Sequence, residues 1–214
     1  TDLTAMMAAQ GRAAALEQYR RRAPVYDLEL ALFEPVRRHA IERLALRRGQ
    51  TVLDVGCGTG LSLPLLRRLV GTSGRVVGIE QSPDMIEHAH ERVAQNKWKN
   101  VTLTCSPVET AVIDVTADAA LFHFTHDILR RADAVSNVLR HLAPGARVVA
   151  SGLKWAPRWA WPVNLLVWPA ALHSVTSLEG LHEPWSGLAR LTGTLEVETM
   201  LLGAVYVAQG RLAP

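Results

Sequence analysis

The sequence predicts an α/β fold: a doubly wound, mostly parallel seven-stranded sheet with helices on both faces, closed by a C-terminal antiparallel hairpin. Three observations predict it. Short apolar runs alternate with amphipathic stretches from about residue 49 to 152, the pattern of strand and helix in turn. The first apolar run leads straight into a glycine-rich turn. Near the end, residues 194–201 and 204–209 read as two strands joined at Leu202-Gly203, a connection too short for parallel pairing.

Each element has its own signal. Residues 12–22 read as a basic helix. Residues 28–46 hold a second one, with Val36, Ala40, Ile41 and Leu44 on one face and Gly49 as its stop. Strand one, residues 51–55, is nearly all apolar, as a central parallel strand is. The helix over 61–70 tolerates Pro64 because the proline falls in its first turn. Strand two spans 75–80. Ser82 then caps a helix running to about Gln95, with Pro83 at its first position and Asp84 near its positive end. Strands three and four cover 101–105 and 119–124. A helix over 129–142 follows, then a Pro144-Gly145 turn and strand five over 146–151. The chain is read as one domain in four parts: N-terminal helices (1–48), a core (49–152), a tryptophan-rich insertion (153–192) and the hairpin (193–214).

The chain has 214 residues, 49% apolar and 20% charged, enough for one full core and inconsistent with a disordered chain. The formal charge is +3. Much of the positive charge precedes the first strand: Arg20, Arg21, Arg22, Arg37, Arg38, Arg43, Arg47 and Arg48. No nucleic-acid motif accompanies it, so these arginines are read as solvated helix faces, with attraction to an anionic lipid surface as the second reading. Cys57 and Cys105 lie in or beside strands expected to be buried, and two isolated cysteines make neither a disulfide framework nor a zinc site. With no signal-peptide pattern and no apolar run of spanning length, a cytoplasmic location is expected.

The sharpest local signal is Val52-Leu53-Asp54-Val55-Gly56-Cys57-Gly58-Thr59-Gly60. Glycines there admit positive φ and close ligand approach. Leu61 occupies the place where a dinucleotide fold wants its third glycine, which disfavours a nicotinamide-dependent reductase. Glu80 ends strand two, 20 residues past Gly60, where a carboxylate can accept hydrogen bonds from both hydroxyls of a ribose.

With that motif and that acid, the chain resembles the class I S-adenosylmethionine (SAM)-dependent methyltransferases over roughly residues 19–152, and the closing hairpin agrees. The resemblance implies SAM as cofactor and S-adenosylhomocysteine as product. It places Gly56, Cys57 and Gly58 against the methionine part, with Asp54 organising the loop and the donor's amino group. It gives the ribose to Glu80 and the adenine to Gln81 and Met85. Ser106 and Val108 fall where the family often carries an acidic adenine contact, and serine departs from that pattern. Tyr19 and Tyr26 resemble N-terminal elements of small-molecule and ubiquinone/menaquinone-type methyltransferases that fold over the donor. Phe122, His123 and His126, at the end of strand four, resemble the segment beside the methyl donor. The two histidines are candidates for acceptor contact or proton removal.

Four of the six tryptophans lie in one stretch: Trp155, Trp159, Trp161 and Trp168. Three readings stay open: a lid over an apolar or aromatic acceptor, an interfacial anchor giving peripheral membrane contact to a lipid acceptor, and plain packing or a dimer contact. The expected function is methyl transfer to a small apolar, aromatic or lipid-like acceptor, with no nucleic acid as partner. A SAM-binding protein without transfer is the reading from another class. The likeness to phospholipid methyltransferases in the C-terminal part is weak in motif.

Overall fold

The computed structural model describes residues 33–165, 180–193 and 195–213. The expected first helix, Tyr19, Tyr26 and Trp168 lie outside the described residues. The elements run α1 (Glu34–Arg43), β1 (Thr51–Val55), α2 (Leu63–Val70), β2 (Arg75–Glu80), α3 (Pro83–Gln95), β3 (Val101–Cys105), β4 (Ala117–His123), α4 (His126–Leu129), α5 (Ala132–Leu139), β5 (Leu142–Leu153), α6 (Ser186–Thr192), β6 (Glu196–Met200) and β7 (Val205–Arg211). Seven strands form one sheet in the order β3-β2-β1-β4-β5-β7-β6. The β1, β2, β3, β4 and β5 pairings are parallel. β7 enters antiparallel beside β5 and pairs antiparallel with β6, which is the expected hairpin ending.

Successive strand residues point to opposite faces, so the sheet sorts side chains into two cores. On one face Val52, Leu121, Val149 and Val207 pack under Val36, Ala40, Ile41 and Leu44 of α1 and under Leu63 and Leu66 of α2. On the other, Leu53, Val55, Ala120, Phe122, Val148 and Tyr206 meet Leu129 of α4 and Val135 and Val138 of α5. α1 is also tied to the hairpin edge, where Glu198 takes His39 Nε2 at 2.8 Å and an Arg43 nitrogen at 2.6 Å. Those pairs are partly exposed and contribute little next to the apolar stripe.

Three expectations need correction. The single helix over 129–142 is two helices, because Arg131 is extended (φ −99°, ψ 105°). Its guanidinium reaches out to Glu109 and Asp133, at 2.8 and 2.9 Å, across the place where the helix would continue. Pro144-Gly145 does not precede β5 but interrupts it. Ala117 pairs with Leu142 and Ala119 with Arg147, so the intervening residues bulge, with Gly145 at φ 74°. Cys105 is exposed, since β3 is an edge strand, whereas Cys57 is buried.

Gly78, in the middle of β2, opens the space that the glycine loop occupies. A Cβ there would lie 2.9 Å from Cys57 Sγ and 2.7 Å from a Leu103 methyl. Gly78→Ala is therefore expected to destabilise the fold by about 1–3 kcal/mol through overpacking. Denaturant unfolding checks this, and an unchanged midpoint would show that Cys57 moves aside freely.

Candidate active site

β1 delivers Asp54 to the face that carries α1, because Asp54 follows Val52 by two residues. The same alternation puts His123 on that face from β4 and Ser151 from β5, where the two are register partners. Beyond Val55 the chain reverses in the glycine loop. Gly56 (φ 69°) and Gly58 (φ 55°) occupy the left-handed region that glycine adopts without strain. A Cβ on Gly56 would also strike the Thr125 side chain at 2.5 Å. The amides of Gly56 and Cys57 donate to the Ile79 carbonyl at 2.8 and 3.0 Å, which fastens the loop to β2. Glu80 completes the frame: its carboxylate accepts from the Gly58 amide at 3.0 Å and from the Ser82 amide at 2.8 Å.

An open cleft sits over this frame, lined by Asp54, Gly56, Cys57, Gly58, Thr59, Leu61 and Ser62. Arg37, His123 and Phe124 line it from α1 and the end of β4. Four of the expected binding residues, Asp54, Gly56, Cys57 and Gly58, thus meet in one place, with His123 from the expected catalytic pair. Glu80 backs the loop without lining the cleft. Gln81 is half-buried beside it, while Met85 and Val108 are buried and Ser106 turns its hydroxyl to the Pro107 carbonyl. Phe122 points into the opposite core and is wholly buried; Phe124 is the aromatic residue that lines the cleft. Phe124 is held at φ 57°, with its ring 4.9 Å from Phe33 and 4.8 Å from His123. His126 opens α4 and is buried away from the cleft. Arg37, expected on a solvated face, is only 4% exposed.

The electrostatics follow from burial. Asp54 is 2% exposed and its Oδ2 has no hydrogen-bond partner among the described residues. Desolvation pushes its carboxyl up to about 7, against the opposing pull of Arg37, with the Glu80 charge adding to the rise. Glu80 is raised by burial as well, moderated by the amides that bond it. His123 shares a 2.7 Å hydrogen bond with Ser151 through Nδ1, and its Nε2 is buried with no hydrogen-bond partner among the described residues. Burial, aided by the nearby Arg37 charge, lowers it to about 3, so its ring is neutral at physiological pH. The Cys57 thiol is raised well above its ordinary value by burial, and it packs as a small hydrophobe rather than reacting.

The residues fit an adenosyl amino-acid donor. A buried carboxylate whose Oδ2 has no partner among the described residues suits an ammonium, and the glycine turn leaves room for a sulfonium. Asp54 also carries a stability cost. Its carboxyl is raised when folded, so in the unfolded chain it releases its proton first as pH climbs from about 4. The stability this group contributes at low pH is lost as pH rises through 7. Asp54→Asn is therefore expected to raise the unliganded chain's stability at pH 8 by about 1–3 kcal/mol and to weaken SAM binding at least ~10-fold. Thermal unfolding at pH 5 and pH 8, with calorimetric titration, checks both; lower stability at pH 8 would refute the cost.

Comparison with known proteins gives the same picture. Residues 52–145 match a family model described as a methyltransferase domain. An arsenite methyltransferase from Halobacterium salinarum is 34% identical over 112 residues, 50% of this chain and 28% of that protein. A demethylmenaquinone methyltransferase from Tropheryma whipplei is 33% identical over 141 residues, 64% of this chain and 54% of its own length. The chain thus spans between about a quarter and about half of these two relatives. Among solved structures, a SAM-dependent methyltransferase from Aquifex aeolicus aligns with a TM-score of 0.59 at 23% identity, over 83% of this chain and 89% of that one. The N-methyltransferase NodS from Bradyrhizobium japonicum aligns at 0.58 and 13% identity, over 84% and 96%. Strand order, glycine loop, strand-terminal acid and family match agree: residues 52–145 are similar to a methyltransferase domain, and the chain has the fold of SAM-dependent methyltransferases.

Proposed function

We propose that this chain transfers the methyl group of SAM to a small apolar or aromatic acceptor. The observation that carries the proposal is the buried Asp54 carboxylate, whose Oδ2 has no hydrogen-bond partner among the described residues, set in one cleft with the glycine turn and a neutral His123. SAM, when bound, supplies an activated methyl on a sulfonium, so in-line positioning can account for most of the catalysis. Asp54 holds the donor's ammonium, and Gly56 and Gly58 keep the backbone low beneath its sulfonium. Glu80 fixes the loop through the Gly58 amide and offers its remaining lone pairs to ribose hydroxyls. Phe33 and Phe124 form an aromatic wall suited to a flat apolar acceptor. His123 orients the acceptor through Nε2, with Ser151 fixing the ring.

The acceptor is a small molecule rather than nucleic acid. Part of the N-terminal basic run supports this: Arg37 is buried, Arg38 bonds Glu34 at 2.8 Å, and Arg43 holds Glu198. Among the described residues no helix is long and apolar enough to cross a membrane. A cytoplasmic site of action is part of the proposal.

A lipid-like acceptor taken from a membrane surface is the second reading, and one feature favours it. Trp159 and Trp161 are 71% and 63% exposed, with Leu165 at 61% and with Arg158 exposed beside them. The β6–β7 turn, with exposed Leu201 and Leu202, lies against Pro157 through Gly203 and is tied there by Lys154. Tryptophan with basic residues suits a headgroup boundary. The demethylmenaquinone relative fits the same chemistry. A protein that binds SAM without transferring its methyl group is the alternative of another class.

Two experiments test this. An acceptor screen reading S-adenosylhomocysteine release should show turnover that His123→Ala lowers by about 10–100-fold while SAM affinity stays within ~3-fold. The wild-type rate should carry no inflection between pH 5 and 8 from His123, whose ring is already neutral there. An inflection near pH 6.5 that vanishes in His123→Ala would make it a titrating base instead. In co-sedimentation, anionic vesicles should retain the chain, and Trp159→Ala/Trp161→Ala should reduce retention about 10-fold. No retention of the wild type removes the lipid reading.

A further inference from the structure

We infer that Ser151 sets the tautomer of His123, so that the ring presents an Nε2–H donor to the cleft and the acceptor it meets there carries an oxygen with spare lone pairs, a carbonyl or a phenolate, rather than an amine. The inference rests on the function proposed above and names the chemical class of its acceptor. Ser151 is a positioning residue in it, acting through His123.

The donors and lone pairs of the two side chains can be counted. Ser151 is wholly buried, and its hydroxyl has one hydrogen-bond partner among the described residues, His123 Nδ1 at 2.7 Å. Burial keeps the imidazole neutral, so one of its two nitrogens carries a proton. With the proton on Nδ1, that nitrogen donates to Ser151, and two groups go unmet: the serine O–H and the Nε2 lone pair. With the proton on Nε2, the serine O–H donates to Nδ1, and the Nε2–H alone is unmet. No donor among the described residues bonds Nε2, so nothing there calls for a lone pair. Each unmet buried polar group is costly, and the second arrangement has one fewer.

The sheet gives the direction of that N–H. Nδ1 is turned toward β5, where Ser151 is the register partner of His123. Nε2 lies across the ring, on the side of β1, the other neighbour of β4. Val55 pairs with Phe122, and the residues that follow these two, Gly56 and His123, both line the cleft. The Phe124 ring stands 4.8 Å from the imidazole and at 77° to it, a wall along which a flat acceptor can bring an oxygen to Nε2.

An amine cannot use this donor and react. Its single lone pair must attack the methyl carbon, and an ammonium has none to offer. A carbonyl or phenolate oxygen has lone pairs to spare for Nε2–H while it, or the carbon conjugated with it, attacks. The acceptor enters as its enolate or phenolate, its proton already lost to solvent. Its attacking pair forms the bond to the methyl carbon, the methyl–sulfur bond breaks with its pair left on sulfur, and no proton passes to His123.

Two measurements test this. Nitrogen-15 spectra of the histidine-labelled full chain, without ligand, should show His123 with Nε2 protonated and Nδ1 bare, its signals assigned by their loss in His123→Leu. Ser151→Ala should turn that pattern into a mixture of tautomers, and Ser151→Thr, which keeps a hydroxyl, should restore it. A protonated Nδ1 in the wild type, or an unaltered pattern in Ser151→Ala, overturns the inference. The chain saturated with S-adenosylhomocysteine is then titrated with para-nitrophenolate and with para-nitroaniline, which match in shape. The phenolate should bind at least ~10-fold more tightly, and His123→Leu should shrink that preference to within about 3-fold. Equal affinity for the two, or a preference that survives in His123→Leu, overturns the acceptor class. A chain that does not bind S-adenosylhomocysteine overturns the methyltransferase proposal instead, and the tautomer is still read from the unliganded spectra.

Discussion

The burial of a carboxylate at the end of an otherwise apolar strand governs the rest of this structure. β1 is buried at Val52, Leu53 and Val55, and Asp54 is as dry as they are. A charged group in that place cannot be solvated by water, so its surroundings must compensate or its proton must stay on. Both happen: Arg37 descends from α1 toward it, and its carboxyl still rises to about 7. The loop that follows is held by backbone amides on Ile79 and Glu80 rather than by contacts to Asp54. The carboxylate is thereby kept in reserve instead of being consumed by the fold.

This arrangement separates two tasks within one small region. Gly78 and Cys57 settle where the loop lies, by packing. Glu80 settles how it is clamped, by accepting amides from Gly58 and Ser82 at once. Asp54, Arg37 and His123 take little part in either task. They form a polar group on the sheet face covered by α1, and their energetic cost is the kind that proteins retain at functional positions. On the opposite face Phe122, Val135 and Tyr206 pack together in one apolar cluster.

Much of this was readable in the sequence because it depends on local rules. The strand–loop–helix of residues 51–70, the Ser82 cap and the hairpin each follow from composition and spacing, and the Ser82 hydroxyl does accept from the Met85 amide. The misreadings share a cause. Arg37 and Arg38 look alike in sequence, although the period through Ala40, Ile41 and Leu44 already selected Arg37 for the packed face. Phe122 and Phe124 share one parity, and alternation alone would send both to the same face; the positive φ of Phe124, just past the end of β4, turns its ring to the α1 side, and no residue pattern signals that turn. Ser151 follows from the same alternation through Val149 and Leu153, once β4 and β5 are known to be neighbours. The break at Arg131 had no such signal, because its partner Glu109 lies 22 residues earlier and only the folded sheet brings them together.

The helix that supplies Arg37 comes from the part of the chain that composition marked as basic and bland, and its ends are pinned differently. Its apolar stripe packs on β5 and β7, while His39 and Arg43 reach Glu198 on the edge strand. A helix held by both an apolar stripe and an edge contact has little freedom to rotate about its axis, and rotation is what would carry a side chain at position 37 out of the cleft. The hairpin therefore does more than close the sheet. By packing Val205 and Val207 of β7 in one cluster with the apolar stripe of α1 it limits the roll of α1, and through that roll the direction in which a guanidinium faces Asp54. The C-terminal edge of the sheet and the first helix of the described chain thus act on one site that neither forms alone.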